Sequence, residues 1–377
     1  MSHSLNTSEI KLLLFLTRGG SLELWARKGI LSREIQLYKE LQKFGIVTTL
    51  LTYGNLSDKQ HNESNSGLRV KCNVFNLPLR IYEKIIPAVF WNEMRNVHVV
   101  KTNQMNGAIA ALESADLWRR PLIARCGYMW SLNLARSKGF DSSEAKYARS
   151  VESRVFSQSS VNVLTTQDMA NDVRSRVSNS SDCVVIPNFV NVHQFKPDND
   201  MPKETDLLFV GRISQEKNLV SLTETLKETD LTLTVIGDGD RRNLFGGDHR
   251  KFTDQVKWIK YMSHESIAGH MNRAKIFVLP SHYEGHPKAL IEAMASGMTI
   301  LGADSPGINN VINHGENGWL CGTSAQDFRE SIKGLLNKPE LMCRLGDNAR
   351  RFAKANYSLT SVAYKEAELM RQVVGEY

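Results

Sequence analysis

At 377 residues the chain is too long for one ordinary hydrophobic core, so two domains are expected. A composition of 41% hydrophobic and 23% charged residues is that of a globular protein and excludes disordered and fibrous classes. The net charge of +7 is confined to residues 1–200, with 25 Lys and Arg against 18 Asp and Glu, while the rest is balanced; an anionic partner is expected for that half alone.

These cations are spread singly, with no zinc-finger or aromatic RNA-binding signature, which argues against nucleic acid. The five cysteines (Cys72, Cys126, Cys183, Cys321 and Cys343) are scattered and lack C-x-x-C spacing. A disulfide framework or zinc site is not expected, and a reducing cytoplasm is the expected home. The first ten residues are too polar for a signal peptide, and no apolar run approaches the roughly eighteen residues of a membrane span.

In chain order, Ile10–Thr17 predicts a first strand running into Arg18-Gly19-Gly20-Ser21. A glycine pair there serves a plain tight turn as readily as close approach to a ligand. Leu31, Ile35, Leu37, Tyr38 and Leu41 recur at helical spacing before Gly45, and Ile46–Thr52 is a second strand, giving a βαβ opening. Asp58–Gly67 is polar and predicts a loop, and Lys71–Leu77 and Val97–Lys101 predict strands. Between these strands, Pro78–Trp91 is aromatic and apolar with Arg80 and Lys84. It reads either as a buried connecting helix or as an edge for a membrane surface, and Pro87 weighs against one continuous helix. Pro121–Gly127 and Val161–Thr165 predict strands flanking a helical Ser142–Gln158, and Phe195–Asp206 has the composition of an exposed linker.

The alternation restarts at strand Asp206–Val210, followed by Gly211-Arg212-Ile213-Ser214-Gln215-Glu216-Lys217-Asn218 and a helix near Leu219–Thr229. Arg212 offers a fork of donors and Lys217 a compact charge, both suited to a diphosphate; alone, each is an ordinary surface cation at a helix start. Leu231–Ile236 leads to Gly237-Asp238-Gly239-Asp240. This D-x-D triplet is rejected as a metal clamp because no further ligands cluster beside it, and it lacks the third glycine of a dinucleotide fingerprint. Val256–Tyr261 is the next strand. Ile276–Leu279 is a buried strand followed by Tyr283-Glu284-Gly285-His286, with Pro287 as first helical residue and Lys288–Ala295 closed by Gly297. Strand, loop and helix in this order place a helix amino end at the binding edge of a parallel sheet, a site for phosphate. Met298–Gly302 and Gly315–Leu320 complete the sheet, and helices from Ser324 end in Leu359–Val374.

P-S-x-x-E-G-x-P-x-x-L-x-E-A-M-A-x-G over residues 280–297, with G-R-x-x-x-x-K-N over 211–218 and V-I-P-N over 185–188, closely resembles the retaining GT-B glycosyltransferases of group 1, family four. The match is specific from Val184 to Gly322 and topological before that. It implies two Rossmann-like doubly wound α/β domains facing a cleft: residues 1–192 for the acceptor, 193–358 for the nucleotide sugar, and 359–377 packing back on the first. By resemblance, Glu284 contacts the transferred sugar and Glu292 the ribose. Gly285, His286, Pro287, Lys288, Ala289 and Leu290 meet the diphosphate with Gly211, Arg212 and Lys217, and Gly19 and Gly20 face the donor phosphates. The strand that usually ends in a histidine near the reacting carbon carries Cys126 instead, with Arg125 and Tyr128 on the acceptor side; Asn310 replaces a frequent Glu. The resemblance implies transfer of a hexose-type sugar from a UDP- or GDP-sugar to a glycan or glycolipid, with retention and without cofactor or metal. The work would be in cell-envelope polysaccharide or lipopolysaccharide synthesis, in the cytoplasm or peripheral on the inner face of an anionic membrane. A nucleotide-sugar epimerase of the same fold, which would need further acids and a histidine for proton transfer, and a non-catalytic sugar-nucleotide-binding protein stay as alternatives.

Overall fold

The computed structural model describes residues 9–61, 67–178, 180–227, 229–240 and 254–376. The chain divides into one unit of Met1–Pro187 with Val362–Tyr377 and a second of Asn188–Ser361.

In the first unit the strands are β1 (Ile10–Phe15), β2 (Ile46–Leu51), β3 (Arg69–Lys71), β4 (Val99–Thr102), β5 (Leu122–Cys126), β6 (Val161–Leu164) and β7 (Cys183–Val185). They form one parallel sheet in the order β3-β2-β1-β4-β5-β6-β7. The second unit holds β8 (Thr205–Val210), β9 (Leu233–Ile236), β10 (Val256–Ile259), β11 (Ala274–Leu279), β12 (Thr299–Ala303) and β13 (Trp319–Cys321), in the order β10-β9-β8-β11-β12-β13. Parallel strands covered on both faces are continuous apolar runs, and Leu12–Phe15 and Ile276–Leu279 are accordingly almost wholly buried. Each sheet reverses its direction of winding once, between β1 and β4 and between β8 and β11. In open α/β sheets ligands bind outside the carboxyl ends of the strands at such a reversal.

Several expectations need correction. Only Arg69–Lys71 is strand; Asn73 turns the chain by bonding Leu77 through both its amide nitrogen (2.7 Å to the carbonyl oxygen) and its carbonyl oxygen (2.9 Å from the amide). The expected loop at Asp58 begins instead with a short helix, Ser57–Gln60, whose Asp58 is fully buried and accepts from the Glu23 amide at 3.0 Å; residues 62–66 of that loop lie outside the described residues. Helix Leu79–Val89 passes through Pro87. It is part core and part surface: Tyr82, Ile86 and Phe90 are buried, whereas Ile81, Val89 and Trp91 are exposed. The supposed linker is not exposed throughout, because Phe195 is fully buried in the second unit's core with Val190, and Asp206 lies inside β8. The division between units accordingly falls at Pro187, before the expected residue 192. Helix Leu359–Gly375 carries Glu366, whose carboxylate lies 2.6 Å from the Lys101 ammonium on β4; both side chains are essentially inaccessible.

Candidate active site in the second unit

Two successive loops at the carboxyl ends of β8 and β11 build the site. After β8, the backbone of Gly211–Ile213 is held against β9's extension: Gly211 donates to the Ile236 carbonyl (3.0 Å) and Ile213 to the Asp238 carbonyl (2.9 Å). A Cβ on Gly237 would lie 1.8 Å from the Gly211 oxygen, and one on Gly239 1.9 Å from the Ile213 oxygen. Both glycines are therefore demanded by backbone packing. Asp238 between them is engaged by the Tyr261 hydroxyl and, at 3.6 Å, by Lys260, so the D-x-D segment has a structural use.

The chain then makes a single 3₁₀ turn, Gln215–Lys217, and Asn218 adopts φ +50° before helix Leu219–Thr225. This turn brings the Lys217 ammonium to 2.5 Å from Glu284 Oε1, with the two side chains only 15% and 10% exposed. The Ser281 hydroxyl donates to the same Glu284 oxygen at 2.7 Å. Arg212 behaves differently: its side chain is 81% exposed and 3.7 Å from Glu216, leaving the guanidinium at the surface of the loop. Burial works against ionisation of Glu216. The Ser214 hydroxyl, its own amide and the Arg212 and Lys217 charges outweigh that and hold its carboxyl below the usual range.

The loop after β11 is fastened from several sides. His282 donates to the Glu216 carbonyl (2.8 Å), Glu284 to the Pro306 carbonyl (2.9 Å), and Ser305 to the Ser281 carbonyl (2.7 Å). Gly307, at φ +84°, permits this: a Cβ there would sit 2.3 Å from the Glu284 carbonyl oxygen. Pro287 turns out to be the N-cap (φ −73°, ψ 111°) rather than the first helical residue, and it provides no side-chain cap. The first intrahelical bond runs from Ile291 to Pro287 at 3.4 Å, so the amides of Lys288, Ala289 and Leu290 lie in the turn that a phosphate group would meet. Leu290 itself is buried. His286 is buried edge-on against Tyr357 (4.9 Å between centroids), and its carbonyl accepts from Asn188 at 2.7 Å. The asparagine of V-I-P-N thus pins the loop.

Glu292 is 2% exposed, and its Oε1 meets His264 Nε2 at 2.8 Å. Gln194 contacts both the ring Nδ1 (3.3 Å) and the carbonyl (3.2 Å) of His264, and the Phe195 ring packs against it, tilted, at 5.0 Å between centroids. Sequence reasoning did not find His264 or Gln194, which lie outside every motif. Ser281 is inside the P-S-x-x-E string and could have been found there.

In the first unit, Gly19 adopts φ +75°, and Gly20 closes a tight turn by donating to Thr17 (2.7 Å) after β1. Arg125 is half-buried, its guanidinium 3.4 Å from the Asn103 carbonyl. Tyr128 is half-buried as well. Cys126, expected on the acceptor side, is fully buried: its thiol donates to the Tyr128 carbonyl at 3.1 Å, and burial pushes its pKa well up.

Two doubly wound parallel sheets, with a cationic loop and a helix start meeting at the β8/β11 reversal, define the two-domain GT-B class. The family model described as "Glycosyl transferases group 1" matches residues 192–352, and that of "Glycosyltransferase Family 4" matches 34–194. The chain belongs to the group 1 glycosyltransferases of the GT-B fold. It is similar to the alpha-D-kanosaminyltransferase of Streptomyces kanamyceticus, 29% identical over 44% of this chain and 45% of that one. The 2-deoxystreptamine N-acetyl-D-glucosaminyltransferase of Niallia circulans is 24% identical over 61% and 63%. The chain spans about half the length of the curated relatives it matches. Among solved structures, a sucrose-phosphate synthase from Thermosynechococcus elongatus superposes with TM-score 0.80 at 18% identity, covering 98% of this chain and 100% of that one. Anabaena HepE in complex with UDP-glucose gives 0.73 at 15% identity, covering 97% and 100%.

Proposed function

We propose that the chain transfers a hexose-type sugar from a nucleotide-diphosphate sugar to a glycan or glycolipid, with retention at the anomeric carbon and without a required metal. The observation that carries this reading is the Lys217–Glu284 pair, 2.5 Å apart and largely shielded, at the β8/β11 reversal beside the helix that begins at Lys288. Heterolysis of a sugar–phosphate bond puts positive charge on the ring and negative charge on the leaving diphosphate. In this reading Lys217, Arg212 and the amides of Lys288–Leu290 face the negative charge, in place of a metal ion. Glu284, oriented by Lys217 and Ser281, faces the sugar, and Glu292 receives the ribose. That HepE was captured with UDP-glucose supports a nucleotide-sugar donor.

The acceptor half carries the basic excess, and helix Leu79–Val89 exposes Ile81 and Val89 beside Arg80 and Lys84. This favours an acceptor at an anionic membrane surface, in cell-envelope polysaccharide synthesis. Vesicle co-sedimentation at low and physiological salt checks it, with Arg80→Gln/Lys84→Gln expected to release the protein. The reaction itself is tested by a thermal-shift panel of UDP-, GDP- and ADP-sugars, followed by NMR of the product's anomeric proton with the stabilising donor. An inverted product, or no stabilisation by any donor, overturns the reading.

A further inference from the structure

The first unit has a concavity beside strands β1, β2 and β3. It is a cavity of about 310 Å³ whose apolar lining is Leu13, Val47, Met94 and Val97 and whose charged lining is Lys11, Arg69, Lys71 and Glu93. The register explains the assembly: Leu13, Thr49 and Arg69 form one row across β1, β2 and β3, and Lys11 and Val47 form the row below. Lys11 lies about 13 Å from Phe15 along β1, four residues at roughly 3.3 Å each, and the lining runs from that end of β1 to Lys71, which is in register with Leu51 at the carboxyl end of β2. Helix Leu79–Val89 is followed by the short Trp91–Met94 helix, whose Asn92, Glu93 and Met94 line the cavity.

Its lining is mixed: apolar Leu13, Val47, Met94 and Val97 lie beside three cations and one carboxylate, and that carboxylate, Glu93, is already paired with Lys71. Among the described residues, Lys11 and Arg69 have no ion-pair partner. His98 borders the same electropositive end: its Nδ1 accepts from the Lys11 amide at 3.0 Å, and burial, then Lys11 and Arg120, hold its pKa down. Two cations without an ion-pair partner that line one concavity repel each other unless an anion joins them, and a concave wall focuses their field. Thr49, Asn92 and Asn96 add neutral hydrogen-bonding groups.

We propose that this cavity binds a phosphate monoester of small size, separately from the nucleotide-sugar machinery of the second unit. The two surplus charges match a dianionic phosphoryl group, and the volume suits a phosphorylated small molecule.

The test is titration calorimetry with inorganic phosphate and with glycerol 3-phosphate at constant ionic strength, chloride being the control. Sedimentation with phosphatidic-acid vesicles separates a lipid source from a soluble one. Hydrogen exchange locates the bound group. Expected are protection at 9–15, 69–71 and 91–98, and a dissociation constant weakened about tenfold or more in Lys11→Gln/Arg69→Gln, since two charged donors are lost. Lys39→Gln, an exposed cation elsewhere on the unit, should leave it unchanged. Arg69→Gln alone, at an exposed strand start, keeps the test available if the double variant does not fold. Binding to vesicles alone that the double variant loses supports the site with a lipid phosphate as its source. Binding that the variants leave unchanged, protection confined to 211–218, or no binding to any of the three probes overturns the proposal.

Discussion

Replacing Glu366 by Gln should be among the most destabilising single changes in the first unit. Lys101 is 0% and Glu366 1% exposed, at 2.6 Å, so the substitution strands an ammonium where water cannot reach it. Breaking such a pair from one side typically costs about 3–5 kcal/mol. A ceiling follows independently. A stranded lysine escapes by losing its proton, which at pH 7 costs about 1.36 kcal/mol for each of roughly 3.4 units below a pKa of about 10.4, or ~4.6 kcal/mol. Against a total of about 5–15 kcal/mol this is large. Burial already lowers the Lys101 pKa in the native protein, with Glu366 opposing and Arg125 adding to it. Over the window between its folded value and the ordinary one, the unfolded chain binds the extra proton, so stability rises with pH towards about 10.5. In Glu366→Gln the window widens and the slope should approach about 1.36 kcal/mol per pH unit. Urea unfolding from pH 7 to 10, with hydrogen exchange of residues 362–375, measures both. Lys101→Met/Glu366→Leu should recover the loss to within about 1 kcal/mol. A Glu366→Gln protein within about 1 kcal/mol of the parent and flat in pH would refute the reasoning.

Lys217→Ala should lower kcat by about 10²–10³ with the fold intact, because one charged donor to the leaving group is lost and Glu284 loses its partner. Arg212→Ala should also lower kcat, without a stability change, as its side chain is largely in solvent; near-normal rates in both would remove the phosphate assignment. Glu292→Ala should weaken nucleoside-diphosphate affinity with little effect on kcat, and Glu284→Ala should do the reverse. His264→Ala should follow Glu292→Ala at about tenfold in affinity, through loss of one bond to a charged group; unchanged affinity would make His264 a packing residue only. Activity should survive EDTA, and complete loss restored by manganese or magnesium would return the D-x-D segment to consideration.

The sheets were legible because parallel strands such as Ile276–Leu279 are unbroken apolar runs, and their loops carry glycines fixed by backbone approach, as Gly237 and Gly239 show. Glu284 and Lys217 were legible as members of patterned strings, although nothing in those strings says that they touch. What stayed hidden depends on contacts distant in sequence. Phe195 sits in a polar stretch and is buried only because the second unit's core has room for it. His264 gains meaning from Glu292, 28 residues away. Cys126 was placed by analogy with a histidine, but a strand position does not tell whether its side chain faces a ligand or, as here, Met129 and the core.

The Lys101–Glu366 pair spans 265 positions, and all of the second unit lies between its members. On the ribosome, Lys101 emerges long before its counter-ion, and residues 188–361 have a continuous stretch from which to complete their own core in the interval. Until Glu366 is made, the nascent amino-terminal sheet has no counter-ion for the lysine in its fourth strand. Closure of the first unit is expected to await Glu366, and a chain truncated between Ser361 and Glu366 should have a protease-resistant second unit and a protease-sensitive first.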